Sequence, residues 1–179
     1  MLVETERLSI LKKDGLLSVV ILPGLDRKRL VLLFTWLLAW SVCGIIVMTY
    51  YFRADNQQQK LFIIGYLAFW FYFEFVMIRS FNWKRSGKEK LWIKDGAVNY
   101  QREVNGRGKI RTFNLDLISR MEILELKATR FSDTISQSFW VKGGERLYFV
   151  SQEKTILLGM QLTDAEARRV RDEFNKWVP

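Results

Sequence analysis

Acid–base or metal chemistry in this chain of 179 residues would have to use carboxylates, lysines or tyrosines, because the chain has no histidine and a single cysteine, Cys43. This composition argues against zinc centres, histidine-based triads, haem ligation and an internal disulfide. Neither a Walker A motif nor a dinucleotide-binding, HExxH or EF-hand motif occurs. We therefore predict no catalytic residues, no metal site and no covalent cofactor, and we expect that the protein is not an enzyme.

The segment Asn105-Gly-Arg-Gly108 has a composition that suits a phosphate, because it is basic and rich in glycine. Phosphate-binding loops usually present the N-terminus of a following helix. Here the residues on both sides alternate between polar and apolar types, as strands do. The segment is better explained as a turn between two strands.

Glu74 lies inside an apolar run, where an ionised side chain is costly and often functional. It precedes Ile78, the predicted end of that run, by four residues, or about 6 Å of helical rise. We expect a carboxylate near the membrane interface that pairs with Arg29 or Lys28. A proton relay or a contact with a partner is the alternative, but a lone carboxylate does not form a relay by itself.

Two apolar runs flank a short polar segment. Residues 30–52 form 23 positions without a charge, which as a helix span about 34 Å, and residues 61–78 span about 27 Å. The hydrocarbon core of a bilayer is about 30 Å thick, and the apolar region of a cleavable signal peptide is shorter than the first run. We predict a transmembrane helical hairpin over residues 30–80, with residues 53–60 as its turn.

The distribution of basic residues predicts the orientation of this hairpin. They concentrate before the first run and after the second: Arg27, Lys28, Arg29, Arg79, Lys84, Arg85 and Lys88. Because loops rich in Lys and Arg stay in the cytoplasm, both termini should be cytoplasmic, in the inner membrane of a bacterium. Residues 81–89 would be a basic tether at the membrane, where these side chains contact anionic lipids.

From residue 90 the pattern changes to the alternation of β-strands. Asp95-Gly96, Asn105-Gly106 and Gly143-Gly144 mark turns, residues 128–137 read as a polar loop, and residues 138–142 read as a strand. The sequence from Thr163 to Glu166 is a capping box at the start of an amphipathic helix. We expect this helix to pack on its own domain, with membrane-surface binding as the alternative.

Residues 90–179 therefore predict about seven antiparallel strands and one C-terminal helix. Such a set closes on itself to bury a core, which is the arrangement of a pleckstrin-homology-like (PH-like) barrel. Residues 8–22 repeat the hairpin pattern around Asp14-Gly15, so we expect residues 1–29 to add an edge β-hairpin to this sheet, with a position along the membrane as the alternative. The predicted fold is a membrane helical hairpin followed by a cytoplasmic PH-like domain.

Two segments, LWIKDGAVNYQREVNGRGKIRTFNLDLISRMEI (residues 91–123) and LLGMQLTDAEARRVRDEFNKWV (residues 157–178), carry a resemblance. Together with the two apolar runs, they resemble the bacterial membrane-anchored PH-like families. The architecture is also similar to that of the two-helix photosystem I assembly factor. The resemblance implies the fold and carries over no catalytic residues.

The charge balance indicates membrane partners rather than nucleic acid. The chain has 28 basic and 19 acidic residues, but residues 91–179 have 15 and 12, so most of the excess lies beside the apolar runs. Trp40 and Trp70 lie deep in those runs, where they would contact lipid, a pigment, a quinone or a partner helix.

Two functions follow from these features. We expect a non-catalytic accessory, assembly or stabilising subunit of a larger inner-membrane complex, photosynthetic or respiratory, bound through both the hairpin and the cytoplasmic domain. Its contacts would include the loop of residues 128–137 and the Asn105–Gly108 turn. The alternative is a free-standing, membrane-anchored regulator that binds lipid or peptide.

Overall fold

The structure is a computed structural model that describes residues 2–4, 7–24, 26–124 and 144–179. The chain forms two compact units. One unit consists of residues 25–85, and the other joins residues 1–24 to residues 86–179. The second unit resumes at residue 86, four residues before the predicted start of the β domain, and it includes the N-terminal segment.

Two helices form the first unit: α1, Arg27–Arg53, and α2, Gln57–Ser86. Both are long and apolar enough to cross a membrane. Asp26 caps α1, since its side chain accepts hydrogen bonds from the backbone nitrogens of Lys28 and Arg29 at 3.1 and 3.3 Å. The helices extend beyond the predicted apolar runs because the charged residues that flank them continue the helix.

No loop separates α2 from the strand that follows it. The helix ends at Ser86 and the strand begins at Gly87, so the predicted tether over residues 81–89 is wrong. Residues 79–86 contain neither proline nor glycine, and Lys and Arg favour helix. The first helix-disfavouring residue is Gly87, where the helix has stopped.

A six-stranded antiparallel sheet forms the larger part of the second unit, in the order β1 to β6. The strands are β1 Leu2–Glu4, β2 Leu8–Lys13, β3 Leu16–Ile21, β4 Gly87–Lys94, β5 Ala97–Val104 and β6 Ile110–Asn114. The N-terminal hairpin is confirmed as part of this sheet. Its strand β3 pairs with β4, with Ile21 opposite Glu89, so the two helices are inserted between neighbouring strands.

Two of the predicted turns have the backbone that their residues favour. Asp95 and Gly96 have φ of 50° and 73°, and Asn105 and Gly106 have φ of 50° and 77°. Positive φ at both central positions is the signature of the hairpin turn that Asp-Gly and Asn-Gly form. These turns fix the register of β4 to β6.

A second, three-stranded sheet contains β7 Glu122–Ile123, β8 Glu145–Ser151 and β9 Lys154–Met160. Within the described part of the chain the two sheets do not close into one barrel, so the prediction holds only in its coarser form of antiparallel sheets and a terminal helix. The predicted loop at 128–137 and strand at 138–142 lie outside the described residues.

The C-terminal helix α3, Asp164–Asn175, completes the core of this unit. Its predicted capping box is confirmed, with hydrogen bonds between Thr163 and Glu166 in both directions. Ala167, Val170 and Phe174 are fully buried in one cluster with residues of both sheets. The prediction that the helix packs on its own domain is therefore confirmed.

Candidate functional site

The predicted basic positions lie at the ends of the helices. Arg27, Lys28 and Arg29 are exposed in the first turn of α1, and Arg79 and Arg85 are exposed near the end of α2. Lys88 is exposed in β4. Lys84 differs, because it is only 3% exposed and is not available for a lipid headgroup.

The close contact between α1 and α2 is made by Trp70 and Gly44. Trp70 is 8% exposed, and its indole ring fills the space beside Gly44, where an added Cβ would lie 2.0 Å from the ring. Its Nε1 donates a 3.1 Å hydrogen bond to the carbonyl oxygen of Trp40. Trp70 is therefore held inside the helix pair. Gly65 of α2 differs, because an added Cβ there would have no atom within 4 Å.

Glu74 lies next to this contact and is buried, at 9% exposure. Its Oε1 is 2.6 Å from the Oγ of Ser41, which follows Arg29 by twelve residues, or about 18 Å along α1. The predicted ion pair with Arg29 or Lys28 is therefore wrong. The prediction placed Glu74 near the helix end because it ended the helix at residue 78, whereas α2 continues to Ser86.

The Ser41 hydroxyl is within hydrogen-bond distance of two oxygens, Glu74 Oε1 and the Leu37 carbonyl at 2.8 Å. A hydroxyl donates one hydrogen. The single hydrogen of Ser41 is therefore shared between the Leu37 carbonyl of its own helix and the Glu74 carboxyl group of α2.

Two polar atoms at this contact have no hydrogen-bond partner among the described residues: Glu74 Oε2 and Trp40 Nε1. The Trp40 ring stacks on Trp36, with centroids 5.4 Å apart and an angle of 11° between the planes. Buried polar atoms without partners are rare in stable structures. This contact is therefore incompletely satisfied by the helix pair alone.

The outer surface of α2 carries a continuous apolar stripe. Its members recur at spacings of three and four residues, and we call them the α2 stripe: Leu61, Ile64, Ala68, Phe71, Phe75 and Ile78. All are exposed, and Phe71 and Phe75 are 66% and 59% exposed. This spacing is that of a seam between packed helices.

In the second unit, a buried carboxylate connects the two sheets. Glu89 of β4 is 1% exposed, and its Oε2 accepts hydrogen bonds from the backbone nitrogens of Gly159 and Met160 at 2.7 and 3.1 Å. Its Oε1 accepts from Tyr100 Oη and Arg102 Nε, both at 2.9 Å. Backbone groups of β9 thus bond to side chains of the larger sheet.

Arg102 and Tyr100 extend this connection to the rest of β9. Arg102 Nη2 donates to Glu145 Oε1 at 3.0 Å and to the Leu157 carbonyl at 2.9 Å. Burial, then the Glu89 charge, raises the pKa of Tyr100, so its hydroxyl stays protonated. Burial acts to lower the pKa of Arg102, but Glu89, Tyr100 and Glu145 raise it overall, so the guanidinium stays charged.

A cleft of about 350 Å³ opens beside this cluster. Three strands supply its walls: Tyr100 and Arg102 from β5, Arg111 from β6, and Thr155, Ile156 and Leu157 from β9, with Lys109 and Glu145 also contributing. This cleft was not predicted from the sequence. The alternation along residues 111–115 could have indicated it, because it places Arg111 on the same face as Phe113 and Leu115, which pack against the core.

The Asn105–Gly108 segment is a turn, as predicted. Val104 and Arg107 exchange backbone hydrogen bonds of 2.8 and 3.0 Å, and Gln101 Nε2 donates to the Gly108 carbonyl at 2.8 Å. An added Cβ at Gly108 would lie 2.1 Å from the Arg102 carbonyl oxygen. Glycine is therefore required there by the close approach of the backbone.

Comparison with known proteins found no matching family model, no similar curated protein and no similar solved structure.

The contact between Trp70 and Gly44 predicts that replacing glycine by alanine has different effects at positions 44 and 65. Gly44→Ala should destabilise the helix pair by about 1–3 kcal/mol, because its methyl group overlaps the indole ring. Gly65→Ala has open space, so it should be neutral or stabilise by about 0.5–1 kcal/mol through helix propensity. Tryptophan fluorescence during unfolding of the full chain in detergent measures both. Equal stability of the two variants would contradict the packing described here.

Proposed function

We propose that this protein is a non-catalytic accessory or assembly subunit of a larger complex in a bacterial inner membrane. Its two helices cross the bilayer, and the α2 stripe binds a transmembrane helix of another subunit. The cytoplasmic β domain, which we propose to be PH-like, provides a second contact. The α2 stripe is the observation that carries this proposal.

Several features of the α2 stripe favour a protein partner. Phe71 and Phe75 lie along the middle of α2 rather than at its ends, where aromatic side chains usually mark the membrane interface. Large aromatic side chains are enriched in the centres of protein interfaces. Ala68 lies between them and Ile64, and a small residue at such a position lets a second helix approach closely.

The basic ends of the helices support an orientation with both termini in the cytoplasm. The Arg27–Arg29 group lies in the first turn of α1, and Arg79 and Arg85 lie near the end of α2. Only Arg53 and Lys60 flank the turn between the helices, with Asp55 between them. The positive-inside rule therefore assigns the turn to the periplasm.

This orientation predicts a labelling pattern in intact cells. In a Cys43→Ser background, a membrane-impermeant maleimide should label Gln58→Cys from outside, because residue 58 is exposed in the first turn of α2, at the external end of the hairpin. Lys154→Cys, at the exposed start of β9, should be labelled only after permeabilisation. Labelling of position 154 but not position 58 in intact cells would contradict this prediction and indicate the opposite orientation.

The α2 stripe predicts the effect of one substitution on assembly. Ala68→Trp should release the 21.3 kDa chain from a larger complex on native gels of solubilised membranes, because the indole blocks close helix approach. Ala39→Trp places the same side chain at an exposed position of α1 and should leave the complex intact. A photo-crosslinker at Phe71 should give a defined protein adduct that Ala68→Trp removes.

The same experiment separates the two functional candidates. Migration of the wild-type chain alone, with no adduct at Phe71, would contradict the subunit proposal. It would favour a free-standing regulator, for which the cleft of the β domain is the supporting observation.

A further inference from the structure

We propose that the cleft between β5, β6 and β9 is a binding site for a phosphate ester. This inference concerns the β domain alone and goes beyond the proposed subunit function, which depends on the helices. It rests on the shape of the cleft, on the charges that line it and on the donors that remain available there.

The cleft lies where the inner face of β5 and β6 changes from apolar to charged. Val98 pairs with Phe113 in the register of these strands, and both belong to or pack against the core. Tyr100 pairs with Arg111 one step further along the same face. Charged side chains therefore occupy inward-facing positions beyond the last apolar pair, where the core ends and a cavity remains.

The lining carries an excess of positive charge. Lys109, Arg111 and Arg102 are cationic, and Glu145 is the anionic residue of the lining. Glu89 and Glu145 already pair with Arg102. Lys109 and Arg111 are exposed, and neither has an ion pair or a side-chain hydrogen bond to any residue that the structure describes.

These cations are close enough to repel one another. Arg111 lies opposite Tyr100, so it is a diagonal neighbour of Arg102. Lys109 precedes β6, lies two residues from Arg111 and lines the same cleft. Like charges on neighbouring positions of a sheet face destabilise it unless an anion compensates them. A bound anion with several oxygens offsets this repulsion.

The available donors suit a phosphate group. The side chains of Lys109 and Arg111 offer charged donors, and Arg102 Nη1 makes no hydrogen bond within the described residues. The fixed fork of a guanidinium matches the oxygens of phosphate, and such charge-assisted bonds are among the strongest in proteins. Arg102 is held in place by Glu89 and Glu145, so its orientation is set before an anion binds.

The size and the mixed lining of the cleft suit a phosphate ester rather than a bare anion. A volume of about 350 Å³ is at the lower end of small-molecule sites. Besides its cations, the lining includes the apolar residues Ile156 and Leu157 and the hydroxyl-bearing Thr155. A phosphate with a short organic group fits this division. The ester is either the headgroup of a phospholipid or a soluble phosphorylated compound, which share this chemistry.

Titration of the full chain in an uncharged detergent tests the site. Glycerol 3-phosphate is the soluble probe, and phosphatidic acid in mixed micelles is the lipid probe, both followed by calorimetry. Lys109→Ala/Arg111→Ala should weaken binding by about tenfold or more, because it removes two charge-assisted donors. Lys13→Ala/Arg120→Ala removes the same charge from exposed positions outside the cleft and should change affinity by less than about twofold.

Saturable binding of either probe that depends on Lys109 and Arg111 supports the site. If glycerol 3-phosphate binds in this way, the ligand is a soluble ester. If only phosphatidic acid binds in this way, the ligand is a lipid headgroup. Absence of saturable binding for both probes would overturn the proposal. Equal weakening in the two double variants would also overturn it, because the attraction would then be to net charge rather than to the cleft.

Discussion

The Glu89 carboxylate is the interaction on which the β domain depends, because it is buried and joins two sheets that share no strand. It accepts two backbone hydrogen bonds from β9 and two side-chain hydrogen bonds from β5. A strand edge without a neighbour must satisfy its backbone groups in another way. Within the described residues, Glu89 and Arg102 supply such partners to backbone groups of β9, and Arg102 also lines the cleft. The candidate phosphate site is thus a consequence of how the domain is closed.

The second constraint is topological. The helices are inserted between β3 and β4, which pair along six positions, from Leu16 with Lys94 to Ile21 with Glu89. Residues separated by more than sixty positions must therefore meet before the sheet is complete, at an entropic cost that grows slowly with loop length. Because α1 and α2 form their own contact through Trp70 and Gly44, the inserted segment shortens the effective separation.

Local features of this structure could be predicted from the sequence, whereas long-range ones could not. The apolar runs, the Asp95-Gly96 and Asn105-Gly106 turns and the Thr163 capping box are set by neighbouring residues, and each is present. The β3–β4 pairing spans the insertion, so no local pattern shows it. The burial of Glu89 could have been predicted, because Glu89, Leu91 and Ile93 occupy alternate positions of one strand and therefore share its buried face. The position of Glu74 was misjudged because helix α2 continues into charged residues that an apolar pattern excludes.

Amide hydrogen exchange at Gly159 and Met160 tests the central role of Glu89 most directly. In Glu89→Gln, both amides should exchange at least about tenfold faster than in the wild type, because a charge-assisted hydrogen bond contributes about 1.5–3 kcal/mol. Glu103→Gln, which removes a carboxylate paired with Lys90 on the same two strands, should leave both amides unchanged. Unchanged exchange at Gly159 and Met160 in Glu89→Gln would contradict the account, because the two sheets would then be joined without the carboxylate.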